Sequence, residues 1–325
     1  MRAAVFKGPG QPLEIQDIDV PTIADDEMLV RVSRCGICGT DIHASREGPF
    51  MAPPNTVFGH EFTGEVVEVG ASIQGGEFSP GDRVTSLPFI KDKTIGLGDI
   101  TGAYSEYVKV GHELVVKIPA ELDEQNAALI EPLAVGLHSV KMAGELREKN
   151  ILIIGAGPIG LSCAIWCRFF GARSVVISEM SPARIEMARQ LGFTQFVDPS
   201  GDIGAQFAGE TGAAPEIQFE CVGAPGIMQQ CIERAPKLGI IMGIGVCDNP
   251  DTIIPLMAFG KELRIQWAVA YDKTDFEFTI DMMIAGRIDA SAMITNVVSL
   301  DELPAAFEAL RSPTDQCKVV IDLHK

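Results

Sequence analysis

Positive charge is scarce in this chain of 325 residues: 26 Lys and Arg stand against 44 Asp and Glu, a formal net charge of −18. That surplus repels phosphate backbones and anionic lipid, so nucleic acid and membrane surfaces are not expected partners. Internal repeats, low-complexity tracts and long linkers are also missing, and domain boundaries must be read from changes of pattern. Residues 1–8 have neither the apolar core nor the small-residue cleavage site of a secretory leader, and the expectation is a cytoplasmic protein. The charge-free run 151–167 approaches the lower limit for a membrane span, but Pro158 and three glycines interrupt it. A soluble strand followed by a buried helix is the better reading. Among the 8 Cys, only Cys35 and Cys38 form a Cys-x-x-Cys pair, a spacing that in an intracellular chain points to metal or redox chemistry before disulfides.

A hydrophobic content of 46% beside 22% charged residues is that of a globular protein, and the length fits two domains. The first part alternates as half-buried strands do, at 28–32, 64–70, 104–108 and 114–118, with Gly and Pro between them. After Asn126 the pattern turns to apolar strands, 151–154, 174–177, 217–219 and 240–244, separated by helical spacers, which indicates a buried parallel sheet. Ser181 is placed to cap a helix that Pro182 opens and Gly192 ends. Helices over 275–285 and 303–310 and a strand over 318–323 close the chain, and this tail is expected to rejoin the first domain. The fold class is α/β, with one domain over 1–131 and 271–325 and the other over 132–270.

Gly155-Ala156-Gly157-Pro158-Ile159-Gly160 follows an apolar strand and opens a helix over 159–170, the context a dinucleotide fingerprint needs. Gly155 permits the tight turn, Gly157 lets the backbone approach a pyrophosphate, and Gly160 lets helix and strand pack closely. Glu179 ends the next strand, where a carboxylate can accept bonds from both ribose hydroxyls and repel a 2′-phosphate. NAD is therefore expected over NADP, although Ser178 and Arg184 lie near enough to serve a phosphate instead.

Cys35-Gly36-Ile37-Cys38-Gly39-Thr40-Asp41-Ile42-His43 and Gly59-His60-Glu61 offer thiol, imidazole and carboxylate from separate loops, as a zinc site requires. Cys163 and Cys167 sit on the apolar helix after the fingerprint and read as core residues. Together with Gly-Asp-Arg-Val at 81–84 and Glu131-Pro132-Leu133-Ala134-Val135, these motifs resemble, nearly end to end, the zinc-containing medium-chain dehydrogenases, and within them the polyol branch of sorbitol, 2,3-butanediol, threonine and glucose dehydrogenases.

The resemblance implies a β-rich GroES-like catalytic domain beside a Rossmann doubly wound domain, in a homodimer or homotetramer. It implies that Cys38 and His60 ligate a catalytic zinc, with Glu61 a ligand or exchangeable neighbour, Cys35 a packing residue, and Glu131 at the position of a second cysteine ligand in liver-type enzymes, binding directly or through water. The four-cysteine lobe for a structural zinc, expected between Leu87 and Tyr104, has no Cys here, so one zinc per chain is expected. Zinc lowers the pKa of a hydroxyl it holds. Thr40 and His43 are placed to pass that proton to solvent, and hydride moves between an alcohol and NAD(H).

By the same resemblance Val222, Ile244 and Val246 line the nicotinamide, Lys318 faces the pyrophosphate or is solvated, and Leu87, Phe89, Phe50 and Trp267 are pocket candidates. The expected function is a zinc-dependent NAD-linked oxidoreductase acting on a small secondary alcohol, diol or polyol. A zinc-free quinone or enone reductase of the same fold and a non-catalytic dinucleotide-binding redox sensor are the alternatives.

Overall fold

A computed structural model describes residues 1–312 and 315–325. The chain divides into two compact units, the first made of Met1–Glu131, Phe276–Ile284 and Ile294–Lys325, the second of Pro132–Asp275 and Ala285–Met293.

The first unit is organised by the strand Glu27–Gly36, whose alternating Met28, Val30 and Val32 enter the core. It pairs antiparallel with Glu61–Val69, with Tyr107–Gly111 and, at its far end, with Lys318–Asp322. Ile294–Ser299 lies parallel to that last strand, the two joined through the helix Leu303–Ala309. The strand anticipated at 104–108 begins instead at Tyr107. Tyr104 turns fully into the core, and Ser105 Oγ bonds the carbonyls of Gly102 and Tyr107, which interrupts the extended ladder.

The second unit is a six-stranded sheet, entirely parallel, in the order Phe196–Val197, Ser174–Ser178, Asn150–Ile154, Ile217–Glu220, Ile240–Gly243, Arg264–Trp267. Numbered along the chain that order is 3-2-1-4-5-6, the doubly wound dinucleotide-binding arrangement with its switch point beside the first strand. Asn150–Ile154 is buried at every position, which is why residues 151–154 are continuously apolar. The charge-free run resolves into this strand and the helix Pro158–Phe169, on which Trp166 is fully buried and donates its indole N–H to the Leu133 carbonyl. Among the described residues no helix is long and apolar enough to cross a membrane. The helix Pro182–Gln190 starts as its sequence indicates, with Ser181 Oγ accepting from the Arg184 amide and Pro182 in the first turn.

Candidate functional site

Cys38 stands where the strand Glu27–Gly36 gives way to the short helix Gly39–Ala44, and it caps that helix. Its Sγ accepts from the Thr40 amide at 3.4 Å, while Asp41 reaches back to the Cys38 amide at 3.2 Å, a reciprocal capping box. Thr40 and His43 lie on the same helix. His60 and Glu61 arrive from the start of the neighbouring strand Glu61–Val69, both buried. Donor atoms of Cys38, His60 and Glu61 lie within 4.8 Å of one another.

Behind them is a second layer that the sequence reading missed. Asp41 Oδ1 lies 3.2 Å from His60 Nδ1, and Asp41 Oδ2 accepts the Tyr104 hydroxyl at 2.7 Å. Burial alone pulls the His60 pKa down, but the Asp41 charge and the Cys38 sulfur outweigh it and hold it well above the usual imidazole value. Burial pushes the Cys38 thiol up, and Glu61 adds to the effect. A thiol that must ionise beside buried carboxylates calls for a cation, and thiol, imidazole and carboxylate are the donor types zinc takes. A carboxylate behind the ligating histidine is the usual outer partner of such an ion. The residues therefore fit zinc.

Of the two readings of Lys318, the solvated one fails, because its side chain is buried. Because Lys318–Asp322 pairs with the end of Glu27–Gly36, with Val320 opposite Gly36, Lys318 runs past that strand into the metal cluster. It is 1% exposed, and its ammonium bonds Glu61 Oε1 and Oε2 at 2.7 and 2.6 Å and the Ile37 carbonyl at 3.2 Å. The partner lies 257 positions away, so no local sequence signal reports the pair. Glu131 is buried near the start of the helix Ile130–Ala143, and its charge also acts on Lys318.

In the second unit the fingerprint turn joins Asn150–Ile154 to the helix Pro158–Phe169, with Pro158 in the first turn and Ile159 and Gly160 following. Gly155 has φ +97°, and a Cβ on Gly160 would stand 1.9 Å from the Gly155 carbonyl oxygen, so both must be glycine. A Cβ on Gly157 would meet nothing within 4 Å, which leaves backbone open to an approaching ligand. Glu179 is 8% exposed and ties the turn to the next one. One of its oxygens accepts from the Ala156 amide at 2.9 Å and the other from Met180 and Ser181 at 2.8 Å each. Arg184 stands 4.0 Å from the same carboxylate. Val222, Ile244 and Val246 follow the ends of Ile217–Glu220 and Ile240–Gly243; Val222 and Val246 are exposed. Of the pocket candidates, Leu87 is buried, whereas Phe50 and Trp267 are exposed.

An open parallel-sheet unit with a glycine turn and an acidic residue after the second strand, carried with a Cys-His-Glu donor set able to hold a metal, is the combination of a metal-assisted, dinucleotide-linked dehydrogenase. Residues 24–120 match the alcohol dehydrogenase GroES-like domain, and residues 158–285 match the zinc-binding dehydrogenase family. The chain is 30% identical to the (R,R)-butanediol dehydrogenase of Bacillus subtilis over 95% of this chain and 96% of that one. It is 32% identical to the (R,R)-butanediol dehydrogenase of Neisseria gonorrhoeae over 95% and 96%. A Sinorhizobium meliloti 1021 structure bound to NADP superposes with a TM-score of 0.89, is 29% identical, and covers 99% of this chain and 98% of its own. The chain belongs to the zinc-type medium-chain alcohol and polyol dehydrogenases, enzymes that use a nicotinamide cofactor.

Proposed function

We propose that this protein interconverts a secondary alcohol of the diol or polyol class and its ketone, with NAD as the preferred dinucleotide and one zinc per chain. The observation that carries the reading is the convergence of Cys38, His60 and Glu61 from separate segments, with Asp41 set behind His60. Cys38 and His60 would hold the metal, and Glu61 and Glu131 are the buried carboxylates available to complete its shell. Zinc supplies a Lewis acid that polarises the substrate oxygen and lowers the pKa of its hydroxyl. Nicotinamide supplies the hydride acceptor. Thr40 takes the hydroxyl proton and His43 delivers it to solvent, while Asp41 fixes the orientation of the His60 ring.

On the dinucleotide side, Gly155, Gly157 and Gly160 shape the turn, and the N-terminus of Pro158–Phe169 favours the pyrophosphate. Glu179 disfavours a 2′-phosphate, and its proximity to Arg184 engages the cation that would otherwise attract one. Val222, Ile244 and Val246 border the nicotinamide. The edge strand Arg264–Trp267, whose outer side has no neighbouring strand among the described residues, with exposed Leu256, Phe259 and Val269 nearby in the chain, supports a homodimer or a homotetramer built from dimers. Eight free cysteines support a reducing, cytoplasmic setting.

The test couples metal content to turnover. About one zinc per chain is expected, with NAD reduction by vicinal diols or polyols that chelation abolishes and zinc restores. Metal-free protein that reduces quinones or enones would overturn the reading, since Cys38, His60 and Glu61 would then have no task.

A further inference from the structure

Resting on that reading, we propose that Glu220 is a positioning residue for the nicotinamide, holding the two loops that carry Val222, Ile244 and Val246 as one unit. Glu220 ends the strand Ile217–Glu220, which lies beside Asn150–Ile154 with Glu220 opposite Ile154. The strand order reverses at that point, and in open parallel sheets the ligand sits at the carboxyl ends of the strands flanking the reversal. Glu220 is 5% exposed, and its side chain is engaged inside the protein. One oxygen, Oε1, accepts the amides of both Val222 and Gly223, each at 2.8 Å. Its backbone carbonyl accepts the amides of Ile244 and Gly245, each at 2.9 Å. A single residue thus serves two amides in each loop.

The loops also interlock through glycine. Gly223 has φ +70°, and a Cβ on it would stand 2.4 Å from the Val246 carbonyl oxygen, while a Cβ on Gly245 would stand 2.2 Å from the Gly223 amide nitrogen. On its other side the first loop leans on the fingerprint turn, where a Cβ on Gly155 would come within 3.0 Å of Val222 Cγ2. Val222 and Val246 remain 49% and 43% exposed, so apolar side chains are presented to a ligand from a fixed backbone. The sheet cannot supply that fixation, because the strands end at Glu220 and Gly243; the Val222 and Gly223 amides use the carboxylate as their acceptor instead. Deprived of it, those amides turn to water and Val222 leaves its place beside the ring. The adenosine and pyrophosphate half, assigned to Gly155–Gly160 and Glu179, keeps its own contacts.

The experiment uses the full chain in four forms: parent, Glu220→Ala, Glu220→Gln and Glu220→Asp. Calorimetric titration with NADH reads the whole dinucleotide, and titration with ADP reads the half that lacks the ring. Glu220→Ala should bind NADH about tenfold more weakly and ADP as the parent does, with a matching rise in the KM for NAD. Glu220→Gln keeps the oxygen that both amides share and should stay near the parent. Equal weakening of NADH and ADP in Glu220→Ala, or parental binding of both, would overturn the inference, and so would a Glu220→Gln as weak as Glu220→Ala. Should Glu220→Ala fail to fold, Glu220→Asp decides, since its shorter side chain draws the acceptor back from the amides. Weaker NADH with parental ADP then supports the inference, and any other result refutes it. A parent that binds neither NADH nor ADP refutes the functional reading itself, an outcome distinct from all of these.

Discussion

Tyr104 donates its phenolic hydroxyl to Asp41 across 2.7 Å, with both side chains buried. The bond fixes the carboxylate that stands behind His60 and that accepts from the Cys38 amide in the capping box. Burial and the Asp41 charge drive the Tyr104 pKa well above its ordinary value, so the hydroxyl remains a donor throughout the physiological range. Tyr104→Phe removes a bond to a charged acceptor and should cost about 1.5–3 kcal/mol of stability. It should also weaken zinc binding about tenfold, because the histidine loses its fixed orientation. Chemical denaturation and chelator competition measure the two effects. A variant that loses stability with full metal affinity would show that the bond only packs the core.

The second unit has its own buried carboxylate. Asp275 accepts from His138 Nδ1 at 2.9 Å, from Lys141 at 2.7 Å and from the Asp272 amide at 2.8 Å. Burial raises its pKa, but these donors outweigh burial and the net shift is downward. A depressed folded-state pKa gives stability that is fully present above the unfolded value and is lost as pH falls through the folded one. Asp275→Asn should therefore lower stability by about 1–3 kcal/mol at neutral pH. The gap between variant and parent should begin to narrow as pH falls below about 4, the ordinary carboxylate value, and close only below the lower folded value, where the parent carboxyl also becomes neutral. Melting curves across pH read this directly, and a gap independent of pH would assign the loss to packing.

What could be read in advance divides by the range of the interaction. The fingerprint, the Ser181 cap and the buried strand Asn150–Ile154 are local, so spacing and residue type reveal them. Cys38, His60 and Glu61 were legible as a donor set because metal chemistry restricts residue types. Asp41 carried a readable signal too, being the third helical position after Cys38, yet its neighbour Tyr104 lies 63 positions away. The burial of Lys318 was hidden for the same reason. A lysine in a strand is ordinarily solvated, and only its pairing beside Gly36 brings it against Glu61.

Glu179 should set the choice of dinucleotide. In Glu179→Gln the charge that opposes a 2′-phosphate is gone and Arg184 is released from it, while part of the network of amide bonds to Ala156, Met180 and Ser181 is retained. The ratio of kcat/KM for NADP over NAD should rise about tenfold, equivalent to about 1.4 kcal/mol. Steady-state kinetics with both dinucleotides decides it. A parallel fall for both with no change of ratio would mean that the carboxylate only holds the two turns together.

Self-association should be readable in the protein's own fluorescence. The chain has 2 Trp, of which Trp166 is fully buried and Trp267, on the edge strand, is 64% exposed. Leu256, Phe259 and Val269 are exposed at 75%, 80% and 85%, more apolar surface than one segment of a monomer ordinarily leaves in water. If that segment forms a two-fold contact, association transfers Trp267 from water to protein while Trp166 is unchanged, and emission should move to the red on dilution. Val269→Glu places like charges opposite each other across such a contact. It should yield a monomer by sedimentation velocity with emission already at the red limit. A parent that sediments as a monomer at every concentration would leave the exposed strand without this explanation.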